Sequence, residues 1–223
     1  MIMGKLIVFE GIDGSGKSTQ FKLLCDRLEK EKREFKKITF PQYSKPSSAL
    51  IKMYLAGEFG SHPDDVNPYA ASAFYAVDRF ASYASDWKEY YNNGGLLLSD
   101  RYTTSNAIHQ SAKLDGIEKK DYLLWLYDFE FKLMGLPKPD AVIYMNVPVE
   151  VAINNIKLRS ETTNAKADIH ELDEDYLARC CESGYVSSAL YGWKRIDCAE
   201  NGKMRPVDDI ASEIYDYIEK EVL

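Results

Sequence analysis

Gly11-Ile12-Asp13-Gly14-Ser15-Gly16-Lys17-Ser18 reads G-x-x-x-x-G-K-S, and its flanks decide its meaning. Leu6-Ile7-Val8-Phe9 before it is a short apolar run of strand character. Thr19 to Leu28 after it carries apolar residues at helical spacing. Strand, glycine loop and helix in that order predict a phosphate-binding loop. Gly11, Gly14 and Gly16 supply backbone angles closed to other residues, so that the chain approaches a phosphate closely. The N–H groups of Ser15 to Thr19 are then expected to point at a nucleotide triphosphate, where the helix dipole also favours negative charge. Lys17 is expected at the β- and γ-phosphates, and the Ser18 hydroxyl on magnesium.

Four further strand-like runs follow this first strand (Lys5 to Phe9): Phe35 to Phe40, Gly95 to Ser99, Ala141 to Asn146 and Trp193 to Cys198. Helical stretches separate them. The alternation predicts an α/β fold, a five-stranded parallel sheet with helices on both faces. The unbroken apolar runs Leu96-Leu97-Leu98 and Ala141 to Met145 suit strands buried on both sides. One domain is expected over residues 1–223, with a short lid at residues 159–170, where the chain turns polar between two helices. Asn67 to Tyr91 reads as one long helix. Its tyrosines and Phe80 exceed what one core-facing stripe needs, so part of it is a candidate dimer face, two-sided packing within one subunit being the alternative.

The net charge of −7 over 223 residues argues against general nucleic-acid binding. No apolar run has the length of a membrane span, and the first residues pass directly into a strand, so a cytoplasmic protein is expected. Cys25, Cys180, Cys181 and Cys198 form no C-x-x-C pair and read as small, mostly buried residues.

A phosphate loop specifies a nucleotide but not an acceptor. The chain lacks the N-K-x-D run that reads guanine. The third strand ends in Ser99-Asp100-Arg101-Tyr102. Asp100 beside the loop is expected to hold magnesium through water, and Arg101 to clamp a second phosphate.

With these blocks in order, the chain resembles the thymidylate kinases. The resemblance is carried by Phe9-Glu10-Gly11-Ile12-Asp13-Gly14-Ser15-Gly16-Lys17-Ser18, by Phe40-Pro41, by Phe74 to Arg79, by Asp100 to Gln110 and by Pro139-Asp140. It implies transfer of the ATP γ-phosphate to dTMP, with magnesium, by a homodimer. It also implies roles. Arg79 would hydrogen-bond a thymine carbonyl, with Tyr75 and Phe74 stacking on the base. Ser105 and Asn106 would lie along the pyrimidine, and His109 and Gln110 would line the nucleoside pocket. Asp13 would meet the sugar 3′-hydroxyl, Arg101 the dTMP phosphate, and Arg159 the adenine. Two departures stand out. Gly14 occupies the place where some members carry a catalytic arginine, and the lid holds only Lys166 in compensation. Gln42 and Tyr43 follow Phe40-Pro41, and Lys45 is the nearest cation there. A kinase for another nucleotide or a deoxynucleoside, and a nucleotide-binding regulator with little turnover, are the competing readings.

Overall fold

The computed structural model describes residues 3–163 and 173–223. Its centre is a five-stranded parallel sheet in the order β2-β3-β1-β4-β5. The strands are β1 (Lys5–Glu10), β2 (Lys36–Thr39), β3 (Leu96–Asp100), β4 (Ala141–Asn146) and β5 (Lys194–Asp197). All five fall where the apolar runs place them. The edge strands β2 and β5 each run one residue short of the expected span at either end. In the middle of the sheet Leu6, Ile7, Val8 and Phe9 are completely buried, as a strand covered on both faces requires.

Helices α1 (Lys17–Lys30), α2 (Ala49–Leu55) and α3 (Pro68–Ser82) precede β3. The expected long helix is one run with a defect. α3 opens on Asn67, whose side chain accepts from the Tyr69 N–H, and Pro68 sits at the first turn, where its missing N–H costs nothing. The helix then widens into a π turn over Tyr83–Trp87 and ends as α4 (Lys88–Asn92). Trp87 and Tyr91 are buried in the core beyond that turn, and the Trp87 indole donates to Ser82 Oγ at 3.2 Å. Most of the aromatic excess therefore packs inward, leaving Val77 and Phe80 as the large exposed apolar side chains of α3 past its first turn.

α5 (Thr103–His109) and α6 (Gly116–Tyr127) follow β3, and α7 (Val149–Thr163) and α8 (Glu174–Tyr191) lie between β4 and β5. A small hairpin, β6 (Ala199–Glu200) with β7 (Lys203–Met204), leads into the closing helix α9 (Val207–Glu221). Cys25, Cys180 and Cys198 are buried and Cys181 half-buried, all as free thiols. Among the described residues no helix is long and apolar enough to cross a membrane.

The register sets up the site. β1 lies between β3 and β4, and Phe9 pairs with Asp100. The loop after β1 and the Asp100-Arg101 turn after β3 thus leave the sheet side by side, at the carboxyl ends of the strands, where open α/β sheets bind ligands.

Candidate active site

The loop from Gly11 to Gly16 is held open by left-handed or extended glycines, with φ of 157° at Gly11, 78° at Gly14 and 84° at Gly16. Gly16 caps α1, so the N–H groups of the first turn face the loop's hollow. Gly14 lies against α7: Asn155 Nδ2 donates to its carbonyl at 2.7 Å, and a Cβ there would run into the backbone carbonyl of Ala152. The Ser15 hydroxyl is buried without a hydrogen-bond partner among the described residues, a donor that a bound phosphate would satisfy.

This loop floors a cavity of about 380 Å³. Asp13, Gly14, Ser15, Gly16, Lys17, Ser18 and Thr19 line it from below, and Arg159 and Met204 are among its other walls. Lys17 is buried, and its Nζ lies 2.7 Å from Asp100 Oδ1. Burial and the neighbouring Arg101 lower its pKa, with Asp100 working the other way. Ser18 and Asp100 are hard oxygen donors next to one another's loops. Among the described residues no group of three His, Cys, Asp or Glu side chains gathers around a metal position. The Ser18 hydroxyl and the Asp100 carboxylate suit magnesium, which takes hard oxygen ligands alongside waters.

Arg101 turns the chain. It is a non-glycine residue at φ 67°, with its N–H still donating to Phe9 O at 3.1 Å. Glu10 holds the residues that follow Arg101. This buried carboxylate accepts from the Tyr102 N–H at 3.0 Å, Thr104 Oγ1 at 2.6 Å and Ser105 Oγ at 2.8 Å. It serves as the N-terminal cap of α5, which the Tyr102 side chain does not provide. Burial raises the Glu10 pKa, against the pull of Arg101, Thr104 and Lys17. The Arg101 guanidinium reaches Asp13 Oδ1 at 2.5 Å and His109 Nε2 at 3.1 Å. Burial disfavours its charge, but Asp13, Glu10 and Asp100 outweigh burial and hold its pKa above the ordinary arginine value.

A second cavity of about 190 Å³ opens on the far side of Asp13. Tyr75, Arg101, Ser105, Asn106, His109 and Gln110 line it, and so do Pro41, Tyr43 and Leu55. Gln110 Oε1 is buried with no hydrogen-bond partner among the described residues. Asp13 borders both cavities.

Two expected residues stand elsewhere. Phe74 is not among this cavity's walls; it packs on Phe59, with ring centroids 5.7 Å apart, in a satellite core with Tyr54 and Val66. Arg79 is buried behind the cavity in a two-pronged pair with Glu130, at 2.7 and 2.6 Å, and donates to Tyr102 O at 3.3 Å. Thr103 Oγ1 also donates to Glu130 at 2.7 Å, and Asn106 Nδ2 lies 3.5 Å from it. Lys45 lies in a separate surface groove with Ser47 and Asp86. Lys166 lies outside the described residues.

A family model for thymidylate kinase matches residues 9–191. This chain belongs to the thymidylate kinase family. A curated thymidylate kinase from Mycobacterium tuberculosis is 30% identical over 190 residues, 84% of this chain and 87% of that one. A probable thymidylate kinase from Thermococcus gammatolerans is 29% identical over 99% of both chains. The solved thymidylate kinase of Candida albicans shares the fold, with a TM-score of 0.71 at 22% identity over 97% of this chain and 92% of that one.

Sequence reasoning missed several residues that shape these two cavities. Glu10 stands beside the glycine loop and Glu130 between Phe129 and Phe131, and nothing in their spacing marks either as a buried organiser. Asn155, Gln20 and Met145 reach the loop cavity from three different elements. Asp78 holds the chain after β2, accepting from the Gln42 N–H at 2.7 Å and Ser47 Oγ at 2.5 Å. The F-x-A-x-D-R segment contained that signal beside Arg79.

Proposed function

We propose that this chain is a nucleoside monophosphate kinase that transfers the γ-phosphate of ATP to dTMP, giving ADP and dTDP. The single observation that carries this reading is the pair of cavities that meet at Asp13, one over the phosphate loop and one walled by Arg101. Phosphoryl transfer needs donor and acceptor in line with the equatorial charge stabilised, and little covalent help.

In this reading Lys17 and the N–H groups of Gly14 to Thr19 hold the ATP phosphates, and Arg159 flanks the adenine. Ser18 and, through water, Asp100 would hold magnesium, which would offset the negative charge of the phosphates. Arg101 binds the dTMP phosphate, whose oxygen is already anionic and needs no strong base. Asp13 orients Arg101 and meets the sugar 3′-hydroxyl. Tyr75, with Phe74 behind it, offers the ring face for the base, and Ser105, Asn106, His109 and Gln110 line its edge. Arg79 acts with Asn106 through Glu130, directing its remaining N–H groups at a base carbonyl. Lys166 supplies the lid's positive charge to the γ-phosphate.

We also propose a homodimer through α3. Tyr69, Val77 and Phe80 form an exposed apolar stripe at helical spacing. Phe80→Asp is expected to shift the protein to a monomer in sedimentation.

The direct test is ADP release with ATP and magnesium, offering dTMP, dUMP, dCMP, dGMP and thymidine in parallel. Turnover on dTMP above all others supports the reading, and Lys17→Ala is expected to abolish it. Preferred turnover on another acceptor, or none at all with ATP bound, sinks it.

A further inference from the structure

His109 stands at the end of α5 with its two ring nitrogens in different contacts. Nε2 lies 3.1 Å from Arg101 Nη1, and Nδ1 lies 3.5 Å from Cys180 Sγ. The ring is buried, Cys180 is completely so, and the Tyr176 hydroxyl fixes the His109 backbone by donating to its carbonyl at 2.6 Å.

A guanidinium has donors and no acceptor. The Arg101 contact is therefore a hydrogen bond only if Nε2 offers a lone pair. That places the ring proton on Nδ1, where it faces the Cys180 sulfur, a weak acceptor. A doubly protonated ring would set N–H against N–H beside a permanent cation.

We infer that His109 is a positioning residue: held as the neutral Nδ1–H tautomer with Cys180 at its back, it fixes the Arg101 guanidinium between itself and Asp13. The inference rests on the reading of Arg101 as the acceptor-phosphate clamp. Asp13 and His109 take different Nη atoms of the same guanidinium, Nη2 and Nη1 respectively. With both in place the fork has one orientation at the mouth of the acceptor cavity. With Asp13 alone the guanidinium would swing about that single contact. The second anchor matters because bidentate recognition of a phosphate depends on the plane of the fork.

Two measurements test this. Long-range proton–nitrogen NMR of the full chain, free of substrate, is expected to show the His109 ring neutral with Nδ1 protonated and Nε2 bare. A proton on Nε2, or a cationic ring at neutral pH, overturns the inference whatever the enzyme's activity. In kinetics, His109→Leu is expected to raise the KM for dTMP by roughly 10-fold or more with the KM for ATP unchanged. His109→Gln, which keeps an acceptor for Arg101, is expected to recover most of that loss. Equal effects of Leu and Gln, or a matching rise in both KM values, also overturn it. If no acceptor is turned over but the tautomer is found as stated, the kinase reading fails and the positioning of Arg101 by His109 stands.

Discussion

Asp13 Oδ1 and Arg101 Nη2 stand 2.5 Å apart, joining the phosphate loop to the turn after β3. Both side chains are about one-fifth exposed, so the pair is partly desolvated and faces the junction of the two cavities. Its value in a kinase is orientation. The fork of Arg101 is aimed before the acceptor phosphate arrives, and no reorganisation is needed during transfer.

Arg101→Ala should therefore lower kcat/KM for the acceptor by about 100-fold or more, with ATP affinity changed little. Arg101→Lys should recover only part of the loss, because a point charge does not reproduce a fork. Steady-state kinetics with each substrate varied in turn separates the two sides. An effect confined to ATP would show that Arg101 serves the other cavity.

The Arg79–Glu130 pair is almost completely buried, at 2.6 Å. Removing one partner leaves an uncompensated charge, so Glu130→Ala should destabilise the fold by about 3–5 kcal/mol. The double change Arg79→Met with Glu130→Leu should recover much of the stability but not acceptor binding, because Asn106 and Thr103 lose the carboxylate that they share. Urea unfolding gives the first quantity and dTMP titration the second.

Gly14 combines φ 78° with backbone of α7 where a side chain would begin. Gly14→Arg should lower turnover rather than supply a missing cation, and should cost about 1–3 kcal/mol in backbone strain alone. A thermal melt and kcat on the same preparation check this. A gain in kcat with an unchanged melt would mean that α7 moves aside at no cost.

The fold was legible because its signals are local and repeated. Leu6 to Phe9, Leu96 to Leu98 and Ala141 to Met145 are apolar runs shortly preceded by glycine or proline, and a parallel sheet follows from their alternation with helices. The loop at Gly11 to Ser18 carries its own geometry in its glycines. What could not be read was partnership across the fold. The sequence marks Arg79 as a residue for a ligand but does not show what orients it, because a side chain's partner is set by tertiary packing. Glu130 reaches it from 51 residues away in sequence. Glu10 likewise caps a helix that begins more than 90 residues later, a relation with no trace in spacing. Tyr75 and Phe74 are adjacent aromatic letters, and only the turn of α3 decides that Tyr75 lines the cavity while Phe74 meets Phe59.

Lys113 gives a prediction in pH. Its Nζ donates to Tyr54 Oη at 3.0 Å and Val66 O at 2.9 Å, and burial, partly offset by Asp64, pushes its pKa down to about 8. The unfolded chain, with an ordinary lysine, binds the proton more tightly. Stability from this group is therefore fully present above about pH 10.5 and is lost as pH falls through about 8. Lys113→Met should remove that slope between about pH 8 and 10.5, seen by comparing unfolding midpoints of the two proteins across the range. Parallel slopes would place the titration elsewhere.

The central claim is that the two cavities hold donor and acceptor at once, with Asp13 at their junction, Lys17 in the first and Arg101 in the second. The most direct measurement is binding of a single molecule that carries adenosine and thymidine at opposite ends of an oligophosphate chain. It is predicted to bind more tightly than ATP or dTMP alone, to be displaced by each of them, and to lose affinity in both Lys17→Ala and Arg101→Ala. Displacement by ATP alone, with Arg101→Ala binding as well as the unaltered protein, would contradict the account.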